Sequence, residues 1–414
     1  HKALQFRCGG NDYLCRIKDA ALQSIVRTSG IDVDLQDYAP VCHYLNGEFM
    51  GTINMREPNN KHNVYANYGL DDDEIDMYEI ECDSGYVQMC GTRDAWQRLK
   101  SLSANAADPE VYAQIKNLLD IDECCNYMAI QFYLGNNDWP QNNLKAWRPI
   151  MENGKFRFIV FDLDFGFYNN DPFPHFTSRQ WYTFCELFDV PGVSHYTREV
   201  EIVPIFMNLL KNADFRRKFV DAFCLVAGSV FQPERSRELV NRLVSVVEYM
   251  QTRESGYPGR NVSPRSSADE VINGLADRAP MLYGALQNFS AAGLSGNGQE
   301  VVLSANTEVA QLGVNGQTVP LHSFHGRLYP PVTLSAQAPA SYRFVGWKTK
   351  NAINVGTGRT LVPAQSEWKY SDAGPVASNW RYRIFSDKNW KEGSAPLGYG
   401  AHFPVSTTIS YGSD

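Results

Sequence analysis

Two short segments carry side chains whose types and spacing could hold a metal ion and a phosphate. In GNNDWPQNNLKAW, Gly135–Trp147, Asp138 is followed five residues later by Asn143. A carboxylate there could orient or deprotonate a hydroxyl nucleophile, and the amide oxygen could take a hard cation. The alternative is a polar turn whose Asn and Asp side chains cap backbone groups. In FRFIVFDLDFGF, Phe156–Phe167, a hydrophobic strand ends in Asp162-Leu163-Asp164. Alternation along a strand sends both carboxylates to one face. Like charges so close need a cation unless water reaches them. The aromatic neighbours favour a Mg²⁺-type ion over a solvated pair at the end of a surface hairpin, which is the alternative. An Asp, an Asn five residues on, a hairpin and an Asp at a strand end is the order of a phosphotransferase site. A Walker loop and the usual kinase Gly-rich loop are both missing from the sequence.

The neighbouring elements are legible from periodicity. Residues 121–134 (IDECCNYMAIQFYL) have helical apolar spacing and stop at Gly135, a C-cap residue, so Asp138 follows directly on a helix. The runs LKAWRPI and KFRFIVFDLDFGF read as a hairpin with Glu152-Asn153-Gly154 at its turn. Upstream, residues 39–55 read as a second hairpin around Asn46-Gly47, and 12–27 and 109–119 as helices. Residues 200–290 read as a helical lobe, with Asp214 and Pro233-Glu234 at helix starts. A Gly/Ser/Asn-rich linker, residues 288–300, leads to short strands at VVLSAN, QTVPLHS, PVTLSAQA and SYRFVGWKT, which suggest a small β-sandwich. The expected class is α+β, with a main domain over 1–290, a small β domain over 297–365, and a partial β segment over 366–414.

Composition narrows the partners. The 414 residues are 43% hydrophobic and 20% charged, as in a soluble globular chain, and long enough for two or three domains. The net charge of -8, without a basic block, argues against nucleic acid as the main partner. No apolar run reaches the length of a transmembrane helix. Nine cysteines, none in a CxxC pair, disfavour zinc ribbons and thioredoxin-like chemistry. Most read as buried free thiols, and Cys82 and Cys90 could pair across a hairpin. The chain opens at His1 in what reads as mid-strand, so a trimmed start is expected.

Several motifs in order resemble the CotH kinase family, atypical kinases named after a spore coat protein. They are FRCGGNDYLCRIKDAAL, YLNGEFMGTINMRE, NVYANYGLDDDEIDMYE, GNNDWPQNNLKAWR, FDLDFGF and PIFMNLLKNADFRRKFVDAF. The resemblance covers roughly residues 1–290. It implies a distant protein-kinase-like fold that binds ATP and Mg²⁺ or Mn²⁺. It further implies Asp138 as the catalytic-loop acid, with Asn143, Asp162 and Asp164 as metal ligands and Trp139 walling the nucleotide pocket. For the cation that grips the phosphates, Arg56 is the first choice, with Lys61 and Lys18 as alternatives. Glu57 is placed to orient that cation or bind metal. Lys18 stands where the family often has Arg.

Residues 297–350 resemble β-repeats of secreted bacterial surface proteins, and the last segment resembles the opening of a jelly roll. Its Trp368, Trp380 and Trp390 either pack or stack on a glycan. The resemblance thus implies an extracytoplasmic, secreted or cell-surface protein, lipid-anchored in one version, that phosphorylates Ser/Thr of a surface or coat protein. The alternative is an inactive scaffold that binds glycan or protein. A carboxylate-pair glycosidase is a third reading, and would need Asp138 and Asp164 to flank an open cleft.

Overall fold

The computed structural model describes residues 2–12, 16–81, 85–178, 180–182, 197–254, 263–339, 341–348, 366–372, 387–398 and 405–410. Asn46 and Gly47 both take positive φ, 51° and 86°, which fits the twist of a two-residue hairpin turn. They join β3 (Tyr38–Leu45) to β4 (Glu48–Arg56), and β1 (Gln5–Arg7) adds on the other edge of β4. In this register Phe6 lies opposite Met55 and Arg7 opposite Asn54, so Phe6 and Arg7 point to opposite faces. The helix α1 (Lys18–Arg27) follows β1, and its first amides are capped by Asp12, whose Oδ2 accepts from the Ile17 and Lys18 N–H groups at 2.6 and 2.7 Å.

A second, five-stranded sheet has the order β2-β8-β7-β5-β6, with β2 Asp34–Leu35, β5 Ile75–Glu81, β6 Gly85–Cys90, β7 Leu144–Pro149 and β8 Arg157–Val160. The β7–β8 pair is the hairpin expected from the sequence, and Asn153 in its turn has φ 61°. One face carries Met77, Trp147, Ile159 and Phe161 against Val64 of α2 (Lys61–Tyr68). The other face carries Tyr78, Ala146 and Phe158 against α5 (Ile121–Leu134), with α3 (Asp94–Ser103) and α4 (Pro109–Lys116) beside it.

Twelve of the fourteen residues of α5 are buried, because the sheet lies on one side and the helical lobe on the other. Tyr127 stacks on Phe158 at 4.8 Å, and Phe132 meets Phe173, Phe206 and Phe219. The lobe comprises α6 (Pro172–Ser178), α7 (Ile202–Leu209), α8 (Ala213–Leu225), α9 (Pro233–Glu254), α10 (Pro264–Ala276) and α11 (Arg278–Asn288). β9 (Gln180–Tyr182) and β10 (Thr197–Glu199) form a separate pair. Asn212 caps α8, and Asp214 lies in its first turn.

The chain is therefore α+β, with a β-rich stretch after the helices. Strands β11 (Gln299–Ser304) and β14 (Ser323–Leu328) pair, and β12 (Gln311–Val314) lies between β13 (Gln317–Thr318) and β15 (Leu334–Gln337). Their Leu303, Leu312, Phe324 and Leu328 belong to the same apolar core as the helices. Phe324 sits on Gly228, where a Cβ would come within 2.3 Å of the ring. Residues 341–348, expected as a strand, form none. Apolar alternation alone did not find them a partner strand.

The fold divides into compact units 1–344 and 345–414. In the second, β16 (Glu367–Tyr370) pairs with β17 (Lys391–Ser394), and β18 (Leu397–Gly398) with β19 (Thr407–Thr408). Trp368 is 47% exposed, Trp390 half-buried, and Trp380 lies outside the described residues. Cys90, Cys124, Cys125 and Cys224 are buried free thiols, while Cys82 lies outside the described residues. Among the described residues no helix is long and apolar enough to cross a membrane.

Candidate active site

The site begins where α5 stops. Gly135 ends the helix in the left-handed region, φ 57°, and a Cβ there would lie 2.1 Å from the Asn169 carbonyl oxygen. The chain beyond it runs beside residues 162–169. Asn137 N–H donates to the Phe165 carbonyl at 3.2 Å, Phe167 N–H to Leu134 at 2.6 Å, and Asn169 N–H to Gly135 at 3.2 Å. Asn136 joins the two loops through its side chain. Its Oδ1 accepts from Asp138 N–H at 3.2 Å, and its Nδ2 donates to the Asp162 carbonyl at 3.4 Å. The buried Arg278 clamps the same region, donating to the carbonyls of Tyr133 and Asn169. The two segments picked out in the sequence are thus one hydrogen-bonded unit.

Asp138 is half-buried, and its Oδ2 accepts from the amide nitrogens of Asn142 and Asn143, each at 2.9 Å. With its nitrogen so used, Asn143 has its carbonyl oxygen as the atom to offer a cation. Asn143 itself has φ 53°, which turns the chain sharply as β7 begins. Trp139 is buried in the aromatic core. Its indole N–H donates to the Tyr127 hydroxyl at 2.8 Å, and its ring stacks on Phe176 at 5.3 Å. It therefore anchors the loop from below.

The second carboxylate pair is reached differently from the expectation. The strand ends at Val160, and Asp162 has φ 53°, so strand alternation does not align Asp162 with Asp164. They meet because the chain turns: Gly166 N–H donates back to Leu163 at 3.0 Å, and Leu163 N–H donates to Asp19 Oδ1 at 2.8 Å. Arg7 spans the pair, with its Nη2 on Asp162 Oδ1 and 3.4 Å from Asp164 Oδ2. Asn11 N–H donates to Asp164 Oδ2 at 2.9 Å. A Cβ on Gly10, φ 61°, would lie 2.3 Å from Arg7 Nη2 and 2.6 Å from Asp164 Oδ2, so this turn needs glycine. Asp164 is 5% exposed, and its Oδ1 is buried without a hydrogen-bond partner. Burial, reinforced by the charge of Asp162, pushes the Asp164 carboxyl up to about 8.

Among the cations expected to grip phosphate, Arg56 is the most buried and pairs with Asp19. Its Nε and Nη2 have no hydrogen-bond partner. Although burial works against its charge, Asp19 is held below the usual carboxylate range by Arg56 and Arg7. Through Asp19, the hairpin cation is linked to the backbone between Asp162 and Asp164. An Arg on a strand paired with an acid on the adjacent helix parallels the strand-Lys and helix-Glu pair of protein kinases. Lys18 instead pairs with Glu270 of α10, beside the rings of Phe167 and Tyr168. Lys61 is exposed and pairs with Asp72. Glu57 accepts from Asp37 N–H at 3.1 Å, so it ties β4 to the β2–β3 connection. The structure brings Asp138 together with Asn143, and Asp162 with Asp164, and joins the pairs through Asn136.

Arg7, Asp19 and Asn136 were not singled out by residue type and spacing. Arg7 is the cation preceding the Gly9-Gly10-Asn11 turn, and that proximity to a backbone cradle was the available signal. Two carboxylates, one with a bare buried oxygen, and an amide oxygen on the adjoining loop are the donor types that a Mg²⁺-type ion takes, with phosphate oxygens and water completing its shell. Among the described residues no group of three His, Cys, Asp or Glu converges as a metal site. No curated protein gives a match to the chain. A family model described as CotH kinase protein matches residues 3–272.

Proposed function

The chain belongs to the CotH kinase family, and from that premise we propose that it transfers the γ-phosphate of ATP, with Mg²⁺ or Mn²⁺, to Ser/Thr hydroxyls of a secreted, surface or coat protein. The observation that carries this reading is the tie between the Asp138 loop and the Asp162–Asp164 turn, with one Asp164 oxygen buried and unpartnered. Asp138 accepts the hydroxyl proton as the oxygen–phosphorus bond forms and the bond to the β-phosphate oxygen breaks, releasing ADP. Asn143 and Asn142 hold the Asp138 carboxylate in place. Asp162, Asp164 and the Asn143 carbonyl oxygen would hold the metal, which neutralises phosphate charge when bound. Arg56, fixed by Asp19, supplies positive charge from the hairpin side.

Transfer of label from ATP to the chain or to an added acceptor protein tests this. Loss of incorporation in Asp138→Ala and Asp164→Ala is the expected result. Equal incorporation by wild type and both variants refutes it. A second reading, an inactive glycan-binding surface protein, is favoured by the exposed Trp368 ring on β16. It predicts glycan binding lost in Trp368→Ala and no metal-dependent nucleotide binding.

A further inference from the structure

Arg7 is a cation with its side chain mostly buried, lying where a metal would have to go. Its Nη2 touches Asp162 Oδ1 and lies 3.4 Å from Asp164 Oδ2. It reaches that place from β1, paired to Asn54 in the sheet, and the Gly10 turn leaves room for its guanidinium. Yet it answers the pair incompletely, because Asp164 Oδ1 stays bare.

A divalent ion entering without movement of Arg7 would put two cations on the same carboxylate oxygens. An Arg released from carboxylates finds its best new partner in a phosphate, which offers the same forked geometry. We propose that Arg7 is a resident counter-ion of the metal-free site, which yields Asp162 and Asp164 to the metal and turns to the phosphates of the incoming nucleotide. This rests on the kinase reading and adds to it a reason for ordered loading: metal alone must expel Arg7 unaided, whereas metal with nucleotide gives Arg7 a new partner. Metal and nucleotide then bind cooperatively through one side chain.

The experiment measures Mn²⁺ binding to the whole chain by electron paramagnetic resonance, with and without a non-hydrolysable ATP analogue, for wild type, Arg7→Gln and Asp164→Asn. Arg7→Gln should bind Mn²⁺ alone about tenfold more tightly than wild type, and the gain in Mn²⁺ affinity on adding nucleotide should shrink by about tenfold. Its metal-free melting temperature should fall and be restored by Mn²⁺. Asp164→Asn should lose Mn²⁺ binding under every condition. An Arg7→Gln affinity for Mn²⁺ alone equal to or below that of wild type overturns the counter-ion role. If instead Asp164→Asn leaves Mn²⁺ binding intact, the kinase reading of the site falls as well. If Arg7→Gln does not fold, Arg7→Lys decides. Its side chain is shorter and reaches the two carboxylates less closely, so Mn²⁺ alone should bind more tightly than in wild type, and unchanged binding overturns the proposal.

Discussion

The two ends of β8 both meet an excess of carboxylates, and they resolve it in opposite ways. At its start, Arg157 donates five hydrogen bonds to Asp32, Asp34 and Asp120, from 2.6 to 3.4 Å. Asp34 is further satisfied by the Trp147 indole N–H at 2.8 Å and the Tyr68 hydroxyl. Just past its end, Arg7 reaches Asp162 and Asp164 with a single nitrogen, Asp164 keeps a bare oxygen, and two guanidinium nitrogens of Arg56 are bare as well. A structural cluster closes on itself, because every unpaired buried charge costs stability. A site that must receive charged ligands keeps donors and acceptors in reserve, and that reserve weakens the empty fold.

The largest expected effect separates the ends by function. Asp138→Asn should lower phosphotransfer by about 10²–10⁴-fold while leaving the melting temperature nearly unchanged, since the amide replaces an acid that is only half-buried. A comparable loss of activity and of stability would make this end structural too. Arg157→Ala should do the converse. It leaves three carboxylates without their cation and should cost about 3–5 kcal/mol of unfolding free energy in urea, with nucleotide affinity of the folded fraction preserved. A smaller effect is expected at the hairpin. Glu254 at the end of α9 accepts from Arg16 at 3.0 and 2.6 Å and from Thr52 N–H at 2.9 Å. Glu254→Ala should cost about 1–3 kcal/mol and raise amide exchange at Thr52. Unchanged exchange would show that α9 does not hold the hairpin through this carboxylate.

The contrast also explains what the sequence disclosed. The α5 stop at Gly135, the Asn46-Gly47 hairpin and the β7–β8 hairpin were legible because local chemistry sets them: a positive φ, a turn dipeptide, an apolar period. Asp138, Asn143, Asp162 and Asp164 were legible as residue types at suggestive spacings. Their assembly was not. Asp162 is in a left-handed conformation that period-two reasoning misses, and Asn136 is decisive only because two loops lie side by side. Arg7 reaches Asp162 across 155 residues, and Asp19 reaches Leu163 across 144, contacts no local pattern encodes. Lys18 reads as a candidate cation in the sequence, whereas the structure turns it to Glu270 and brings its neighbour Asp19 to the site.

Glu123 sharpens the comparison most finely, because it is the saturated end's own bare carboxyl. It lies on α5, fully buried. Its Oε1 accepts from Phe158 N–H at 3.1 Å, and its Oε2 has no partner. Burial holds it well above the ordinary glutamate range, outweighing the pull of Arg157. Between the ordinary value and the raised one, the folded chain keeps a proton that the unfolded chain has released. Stability on this account is fully present below the ordinary value and declines as pH rises toward the raised one. Glu123→Gln keeps the acceptor for Phe158 and removes the titration. It should match wild type at about pH 4 and melt higher by a few degrees at about pH 8. Identical pH dependence in the two proteins would mean that Glu123 is charged in the fold and has a counter-ion. If the expectation holds, the two bare oxygens beside β8 differ in what answers them. Burial drives both carboxyls toward a proton, and the difference lies in the neighbouring cation: Arg157 is committed to Asp32, Asp34 and Asp120, whereas Arg7 lies 3.4 Å from Asp164 and on the proposed loading yields it to a metal.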